Sequence, residues 1–340
     1  MGSALALAAC ERRASSQPAP QHLPPLKSVA TFPIGTCVQV ARLDDPAWVD
    51  LASLHCSQLT PEWEMKMEYV VQPDGSLRFD RPDRIAGFAR DRGMRLFGHA
   101  LVWYAQRPPA FERLDGANFG KAFDAYIAAL VSRYRGQAVG WDVVNEAVAE
   151  DGEGLRESLW ASRLGDFDHM RRAFDGARAA DPDAVLFIND YNLESLPRKL
   201  DSFQRLVERL LKAGAPVGGL GTQSHLPADL PAGSVTRALR ALARFGLPIH
   251  LSELDVSLTR ARRLLATPSQ LQAAQTALYR EAAEAFTALP ARQRFALSLW
   301  GLRDKDSWLR GENAADSPLL FDDLGKPKPP AGGFIDGLGA

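Results

Sequence analysis

AVLFINDYNLESLPRKLDSFQRLVERLLKAGAPVGGLGTQSH, residues 184–225, carries the pattern that decides the fold. An apolar run, 184–190, opens it and a Gly-rich apolar run, 218–224, closes it. Between them Leu200, Phe203, Leu206, Val207, Leu210 and Leu211 recur at the 3.6-residue helical period, and Gly214 follows as a stop. Strand, amphipathic helix and strand in such short order is the repeating unit of a parallel sheet.

The same alternation continues in both directions. Short apolar runs predict strands at 32–40, 56–60, 95–102, 138–145, 184–190, 218–224, 248–254 and 295–301, eight in all. Val235, Leu239, Leu242 and Phe245 mark another helix face, as do Leu271, Ala274, Leu278, Ala282, Ala285 and Leu289. Gly93, Gly136 and Gly246 stop further helices. Eight strand–helix units predict one α/β domain, a single (β/α)8 TIM barrel. A doubly wound open sheet would want a Gly-rich phosphate turn after its first strand, and GTCVQVARLDDP (35–46) offers none.

Composition bounds the function classes. The chain has 340 residues, 46% hydrophobic and 24% charged, which suits a folded domain of this size. Forty Lys+Arg against 41 Asp+Glu give a net charge of -1, so no basic field exists to hold a nucleic acid. No run of 18 apolar residues is present to span a bilayer. The three cysteines, Cys10, Cys37 and Cys56, form no C-x-x-C pair. Cys37 and Cys56 fall near neighbouring strands, as two buried thiols or, in an oxidising compartment, a disulfide.

One folded domain is expected over 29–340, as a monomer. Residues 1–28 are set apart as a leader. Leu7-Ala8-Ala9-Cys10 resembles the lipobox of bacterial lipoproteins, in which Cys10 would be lipidated, and the Pro/Ser-rich stretch after it reads as a tether. On that reading the protein is exported to the periplasm or cell surface. A tag followed by a disordered leader is the alternative reading of the same residues.

Polar residues gather where a barrel keeps its chemistry, at the C-terminal ends of the strands. Glu62, Trp63 and Lys66 follow the second strand, and His99, Trp103 and Gln106 the third. Asn145 and Glu146 end the fourth, and Asn189, Asp190, Tyr191 and Asn192 the fifth. Gln223 and His225 end the sixth, Glu253 and Asp255 the seventh, and Trp300 the eighth, ahead of Trp308. Acids and amides that bond vicinal hydroxyls, with indoles that stack on sugar faces, describe a carbohydrate site. His55, His169 and His250 read as structural, Trp48 and Trp141 as packing. His99, His225, Asp190 and Glu253 are the metal-ligand alternative, but no His-x-His pair or H-E-x-x-H helix accompanies them, so neither metal nor cofactor is expected.

Six strings carry a resemblance: GHALVWYAQRPPAF (98–111), WDVVNEAVAEDG (141–152), FINDYN (187–192), GLGTQSHL (219–226), LSELDVS (251–257) and WGLRDKDSW (300–308). Together with LLFDDLGKPKPP (319–330) they are similar to glycoside hydrolase family 10, the endo-β-1,4-xylanases, over about residues 33–330. The resemblance implies retaining hydrolysis of xylan or xylo-oligosaccharides, with Glu146 as acid/base and Glu253 as nucleophile. Such cleavage needs one carboxyl that hands its proton to the leaving oxygen and one ionised carboxylate that attacks. It further implies His225 and Asp255 as supports of the nucleophile. Asn145, Gln223, His99 and Lys66 would hold the sugar being cleaved, Trp103, Trp300 and Trp308 would cage it, and Trp308 would disfavour hexoses. Glu62 and Gln106 would serve the next sugar out, Tyr191 and Asn192 the leaving-group side.

Two positions depart from the family pattern. Its E-N-x-M-K string is Glu62-Trp63-Glu64-Met65-Lys66 here, and its L-V-W-H-x-Q string is Leu101-Val102-Trp103-Tyr104-Ala105-Gln106. Both are expected on the glycone side, favouring short or decorated oligosaccharides. Two rivals remain: a non-catalytic sugar-binding barrel, which would lack one acid, and a barrel glycosidase acting on β-glucans or mannans.

Overall fold

The computed structural model describes residues 22–262 and 266–339. The lipobox-like segment and Cys10 lie outside the described residues. Eight strands close into a parallel barrel: β1 (Ile34–Val38), β2 (Gln58–Pro61), β3 (Arg95–Gly98), β4 (Ala138–Asn145), β5 (Val185–Asp190), β6 (Gly219–Thr222), β7 (Ile249–Ser257) and β8 (Arg294–Leu299). Each pairs with its successor and β8 pairs with β1, which seals the sheet without an edge. The expected order and number of strands are those observed.

Bounds moved where backbone chemistry intervened. The third strand, expected over 95–102, stops at Gly98, and Val102–Trp103 resumes pairing with β4 two residues before its end. The sixth breaks at Thr222, and His225–Pro227 continues beside β7. Both interruptions put His99, Gln223 and Ser224 in irregular backbone at the rim, where their side chains are not bound to a strand's alternation. Helices cover the sheet. Pro197–Lys212 buries Leu200, Phe203, Leu206, Val207 and Leu210, while Leu211 is exposed. Gly93, Gly136, Gly214 and Gly246 all take positive φ at the helix ends.

Inside the barrel, Phe97, Phe187 and His250 form an aromatic layer with ring centroids 4.5–5.9 Å apart. His250 bonds Ser298 Oγ at 2.9 Å, and burial pushes its imidazole down to about 3, so it is a neutral packing residue as expected. Trp48 and Trp141 are buried, as are His55 and His169. Gly98 is required by Trp141: a Cβ there would lie 2.0 Å from the indole. Cys37 and Cys56 are free buried thiols.

The packed domain begins earlier than 29. Leu26, in the turn Leu26–Val29, is fully buried and its N–H donates to His55 Nδ1 at 3.3 Å. One apolar residue in a Pro-rich stretch gave no periodicity to read. Among the described residues no helix is long and apolar enough to cross a membrane.

Candidate active site

Glu253 lies on β7 and Glu146 directly follows β4. Both line one cleft of about 370 Å³ at the C-terminal mouth of the barrel. Glu146 holds φ 59°, and its N–H donates to the Asn189 carbonyl at 2.8 Å. A non-glycine residue in the left-handed region is strained, and such residues concentrate at functional sites. Asn192 and Ser224, at the ends of β5 and β6, share that conformation.

A chain of amides joins the two acids. Asn145 Nδ2 donates to Glu146 Oε1 at 3.1 Å, and Gln223 Nε2 donates to the same oxygen at 2.9 Å. Asn189 Nδ2 lies 2.9 Å from both Asn145 Oδ1 and Glu253 Oε1. Ser252 Oγ donates to Asn189 Oδ1 at 2.9 Å and so fixes which way the amide faces. Gly221 makes room for this link, because a Cβ there would sit 2.3 Å from Asn189 Oδ1.

On its other oxygen Glu253 meets His225 Nε2 at 3.4 Å, and His225 Nδ1 lies 2.9 Å from Asp255 Oδ2. Trp308 Nε1 donates to that same Asp255 oxygen at 2.9 Å. Burial pushes the Glu253 carboxyl up. The charge of His99, the hydrogen bond and charge of His225 and the Lys66 ammonium outweigh it and leave the carboxyl below its ordinary value. Burial pushes His225 down, but Asp255 and Glu253 overturn it and carry the imidazole up to about 10.

A raised folded-state value stabilises the charged imidazole. Its contribution is complete below the ordinary histidine range near 6.5 and is lost as pH rises through about 10. The thermal midpoint of the wild type should therefore exceed that of His225→Gln by its largest margin near pH 6, the gap narrowing toward pH 10. A gap constant across that range would show that His225 is not held as the cation.

His99 Nδ1 bonds Asp142 Oδ2 at 2.8 Å, both side chains being buried, which leaves Nε2 as the ring's remaining polar atom. Burial raises Asp142 to about 6 against the pull of His99. Lys66 Nζ lies 4.4 Å from the Trp63 ring centroid and 4.5 Å from that of Trp103, an ammonium held between two indole faces. Burial lowers its proton affinity, against Glu253, Glu146 and Glu62. Glu62 Oε2 accepts from Gln39 at 3.1 Å and from the Cys37 thiol at 3.8 Å. Of the residues weighed as metal ligands, Asp190 instead accepts from Val148 N–H at 3.0 Å and pairs with the buried Lys199 at 3.1 Å. His99, Asp142 and Glu253 bring ligand-type atoms within 4.8 Å of one another, each already engaged by a protein partner.

Most of the expected site residues line the cleft: Glu62, Lys66, His99, Trp103, Glu146, Tyr191, Asn192, Gln223, His225, Glu253, Trp300 and Trp308. Three do not. Asp255 stands behind His225, as a supporting residue should. Asn145, expected on a sugar hydroxyl, is buried and engages Glu146, Asn189 and Gln223. Gln106, expected on the second sugar, is buried too, and its Oε1 accepts from Met67 N–H at 2.8 Å. It braces the loop that carries Lys66.

Tyr104 also stands elsewhere than expected. The Arg156 guanidinium lies 4.4 Å from its ring centroid and 5.4 Å from that of Tyr191, so Tyr104 neighbours Tyr191 rather than Trp63. Unforeseen are Arg260, in the cleft, and Arg156, behind Tyr104 and Tyr191. Asn189 was expected at the rim, at the end of the fifth strand, but its link between Asn145 and Glu253 was not. Arg260 lines the cleft beneath Trp308, 4.6 Å from its ring centroid, from a loop with no periodicity to read.

A closed (β/α)8 barrel whose mouth holds two amide-linked carboxylates and four tryptophans has the make-up of a glycoside hydrolase. Comparison with known proteins narrows this. The profile of "Glycosyl hydrolase family 10" matches residues 26–336, and the chain belongs to that family. An endo-1,4-beta-xylanase of Geobacillus stearothermophilus is 34% identical over 327 residues, covering 90% of this chain and 96% of its own. Endo-1,4-beta-xylanase A of Cellvibrio japonicus is 32% identical over 92% of this chain and 56% of its own. The chain thus spans about half the length of some of the curated relatives it matches. The solved structure of a thermostable mutant of a xylanase from Cellvibrio japonicus superposes with a TM-score of 0.85 at 31% identity, covering 93% of this chain and all of the other.

Proposed function

We propose that the protein hydrolyses β-1,4-xylosidic bonds in xylan or xylo-oligosaccharides with retention of configuration. Glu253, kept ionised by His99, His225 and Lys66, attacks the anomeric carbon. Glu146 gives its proton to the departing oxygen as the glycosidic bond breaks. The resulting ester neutralises Glu253. Glu146, now ionised, takes a proton from water as the water's oxygen attacks the same carbon and frees Glu253. Neither step calls for a cofactor. The observation that carries this reading is the amide chain through Asn145 and Asn189, which ties two carboxylates from opposite strands into one cleft.

The remaining cleft residues suit a pyranose. Trp300 and Trp308 stand with Trp103 around it, Lys66 and His99 supply donors to its hydroxyls, and Gln223, whose Nε2 is spent on Glu146 and Asn145, offers its Oε1 as an acceptor. The test is reducing-sugar release from xylan, cellulose and mannan, with proton NMR of the first product. Xylan cleavage giving the β-anomer first is expected. The α-anomer first, or preference for cellulose or mannan, overturns the reading.

Trp63 bears on chain length. Its indole lines the cleft, with the Tyr69 ring centroid 5.9 Å away and the Lys66 ammonium at its face. An indole there adds bulk and offers one donor and no acceptor, where the family's amide offers both. We expect Trp63→Asn to shift products of linear xylan toward longer oligosaccharides and to raise kcat/KM on long chains about tenfold, a few contacts' worth. Identical product ladders for the variant and wild type, resolved by chromatography, would remove Trp63 as the determinant.

A further inference from the structure

One buried acid takes no part in the steps above. Glu194 lies in the loop after β5 that carries Tyr191 and Asn192 to the cleft, and it is 1% exposed. Its Oε1 accepts from Thr222 Oγ1 at 2.6 Å and from Ser224 Oγ at 2.5 Å. Thr222 and Ser224 are fully buried. The second oxygen, Oε2, is buried and accepts from no group among the described residues. On the outside, Arg237 of the helix Ser234–Ala243 donates to the Glu194 carbonyl at 3.3 Å and ties down the loop. A carboxylate brought into the interior with one oxygen unserved costs more desolvation than an apolar side chain would, so packing alone does not account for it.

The two hydroxyls flank Gln223, and Gln223 meets both carboxylates of the cleft. Thr222 ends β6, and Ser224 turns the chain where the sixth strand breaks. Thr222 and Ser224 face Glu194, while Gln223 between them lines the cleft. Gln223 Nε2 donates to Glu146 Oε1 at 2.9 Å, and the Gln223 carbonyl accepts from the Glu253 N–H at 3.0 Å. The Thr222 carbonyl accepts at 3.3 Å from Ser252 Oγ, the hydroxyl that also orients Asn189. One tripeptide thus reaches Glu146 through a side chain and Glu253 through the backbone. Ser224 sits at φ 60°, a conformation that a non-glycine residue keeps only when its neighbours hold it there.

Glu194 supplies that hold. A single oxygen bridges the hydroxyls on either side of Gln223 and so fixes the peptide planes between them. We propose that Glu194 is a positioning residue for both carboxylates of the cleft, its Oε1 clamping Thr222 and Ser224 so that Gln223 meets Glu146 and Glu253 together. It stands behind the residues that line the cleft and acts only through Gln223. The proposal rests on the xylan reading above and adds a residue on which that reaction depends from behind the cleft wall. The clamp requires an acceptor at Oε1 and not a charge. Glutamine keeps that acceptor and puts its amide nitrogen where Oε2 has no partner. Alanine removes it and leaves two buried hydroxyls unserved.

The test measures kcat and KM on a linear xylo-oligosaccharide, with the thermal midpoint, for the wild type and each variant. Glu194→Ala should lower kcat by about 10- to 100-fold, approaching the effect of an ångström's misplacement. Its KM should stay within about twofold, because Lys66, His99 and the cleft tryptophans are carried by other loops. Glu194→Gln should keep kcat within about threefold of the wild type. Thr222→Val preserves shape and removes one donor, so it carries the test if the alanine variant does not fold. It should lower kcat about fivefold with KM held. Glu194→Ala combined with Gln223→Ala should lose less than the product of the two single losses, since both act through one contact. A role in stability alone would lower the thermal midpoint of Glu194→Ala and leave kcat below that temperature unchanged, and this result overturns the proposal. An unchanged kcat in Thr222→Val, a glutamine variant as impaired as the alanine one, or losses that multiply would do the same. Each of these leaves the xylan reading standing, whereas failure of the wild type to cleave the oligosaccharide overturns both.

Discussion

Glu253→Ala should abolish turnover of xylan, with kcat down on the order of 10⁴-fold or more, since no other group can form the glycosyl ester. The neighbouring acids are not substitutes. Asp255 faces His225 and Trp308, and Asp142 faces His99. Glu253→Gln separates charge from shape. It keeps an acceptor near His225 and Asn189 but cannot attack, so it should be as inactive as the alanine variant while unfolding closer to the wild type. The alanine variant leaves a space beside the anomeric carbon. Added formate or azide should occupy it, restore cleavage of substrates with good leaving groups, and yield α-configured product from a single displacement. Measured rates within tenfold of the wild type for Glu253→Gln, or β-configured product in the rescue, would take the nucleophile's role from Glu253.

How far the sequence could be read depended on whether a residue's neighbours lay along the chain or across it. The barrel was legible because each βα unit shows its own periodicity: Leu200, Phe203, Leu206, Val207 and Leu210 declare a buried helix face without reference to any partner. That Glu146 and Glu253 share one cleft was legible because they end or lie on strands, and strand ends in a parallel barrel converge. Gln106 and Tyr104 were not. Gln106 sits in a string that reads as sugar-binding, yet its fate is set by Met67 N–H, 39 positions away. Tyr104 is placed by Arg156, from the loop after the next strand. Loops carry no period, so contacts between them leave no mark in a single sequence. Asn189 is the intermediate case. Its strand position was visible, but its service to both Asn145 and Glu253 depends on Gly221 leaving room for it.

Glu146→Ala is the complementary experiment, and its signature is dependence on the leaving group. A xylose alkoxide is a poor leaving group that needs a proton as it departs, so loss of Glu146 should lower kcat/KM on xylan by about 10³-fold, within the range of general acid catalysis. A dinitrophenolate departs without help. For a dinitrophenyl glycoside the first step should therefore run at nearly the wild-type rate, and kcat/KM should fall by less than about tenfold. The second step still lacks its base. The glycosyl ester on Glu253 should accumulate, giving a burst of phenolate followed by a slow steady state, with kcat and KM falling together. Azide, which needs no base, should speed that slow phase and leave as the β-glycosyl azide. The two variants thus give opposite stereochemistry with the same added anion: α where Glu253 is missing, because azide attacks the substrate, and β where Glu146 is missing, because it attacks the ester. A structural role for either acid would move both substrates and both steps alike. Only two carboxylates acting in turn on one carbon produce the split. Unchanged xylan turnover in Glu146→Ala would place the acid elsewhere in the cleft.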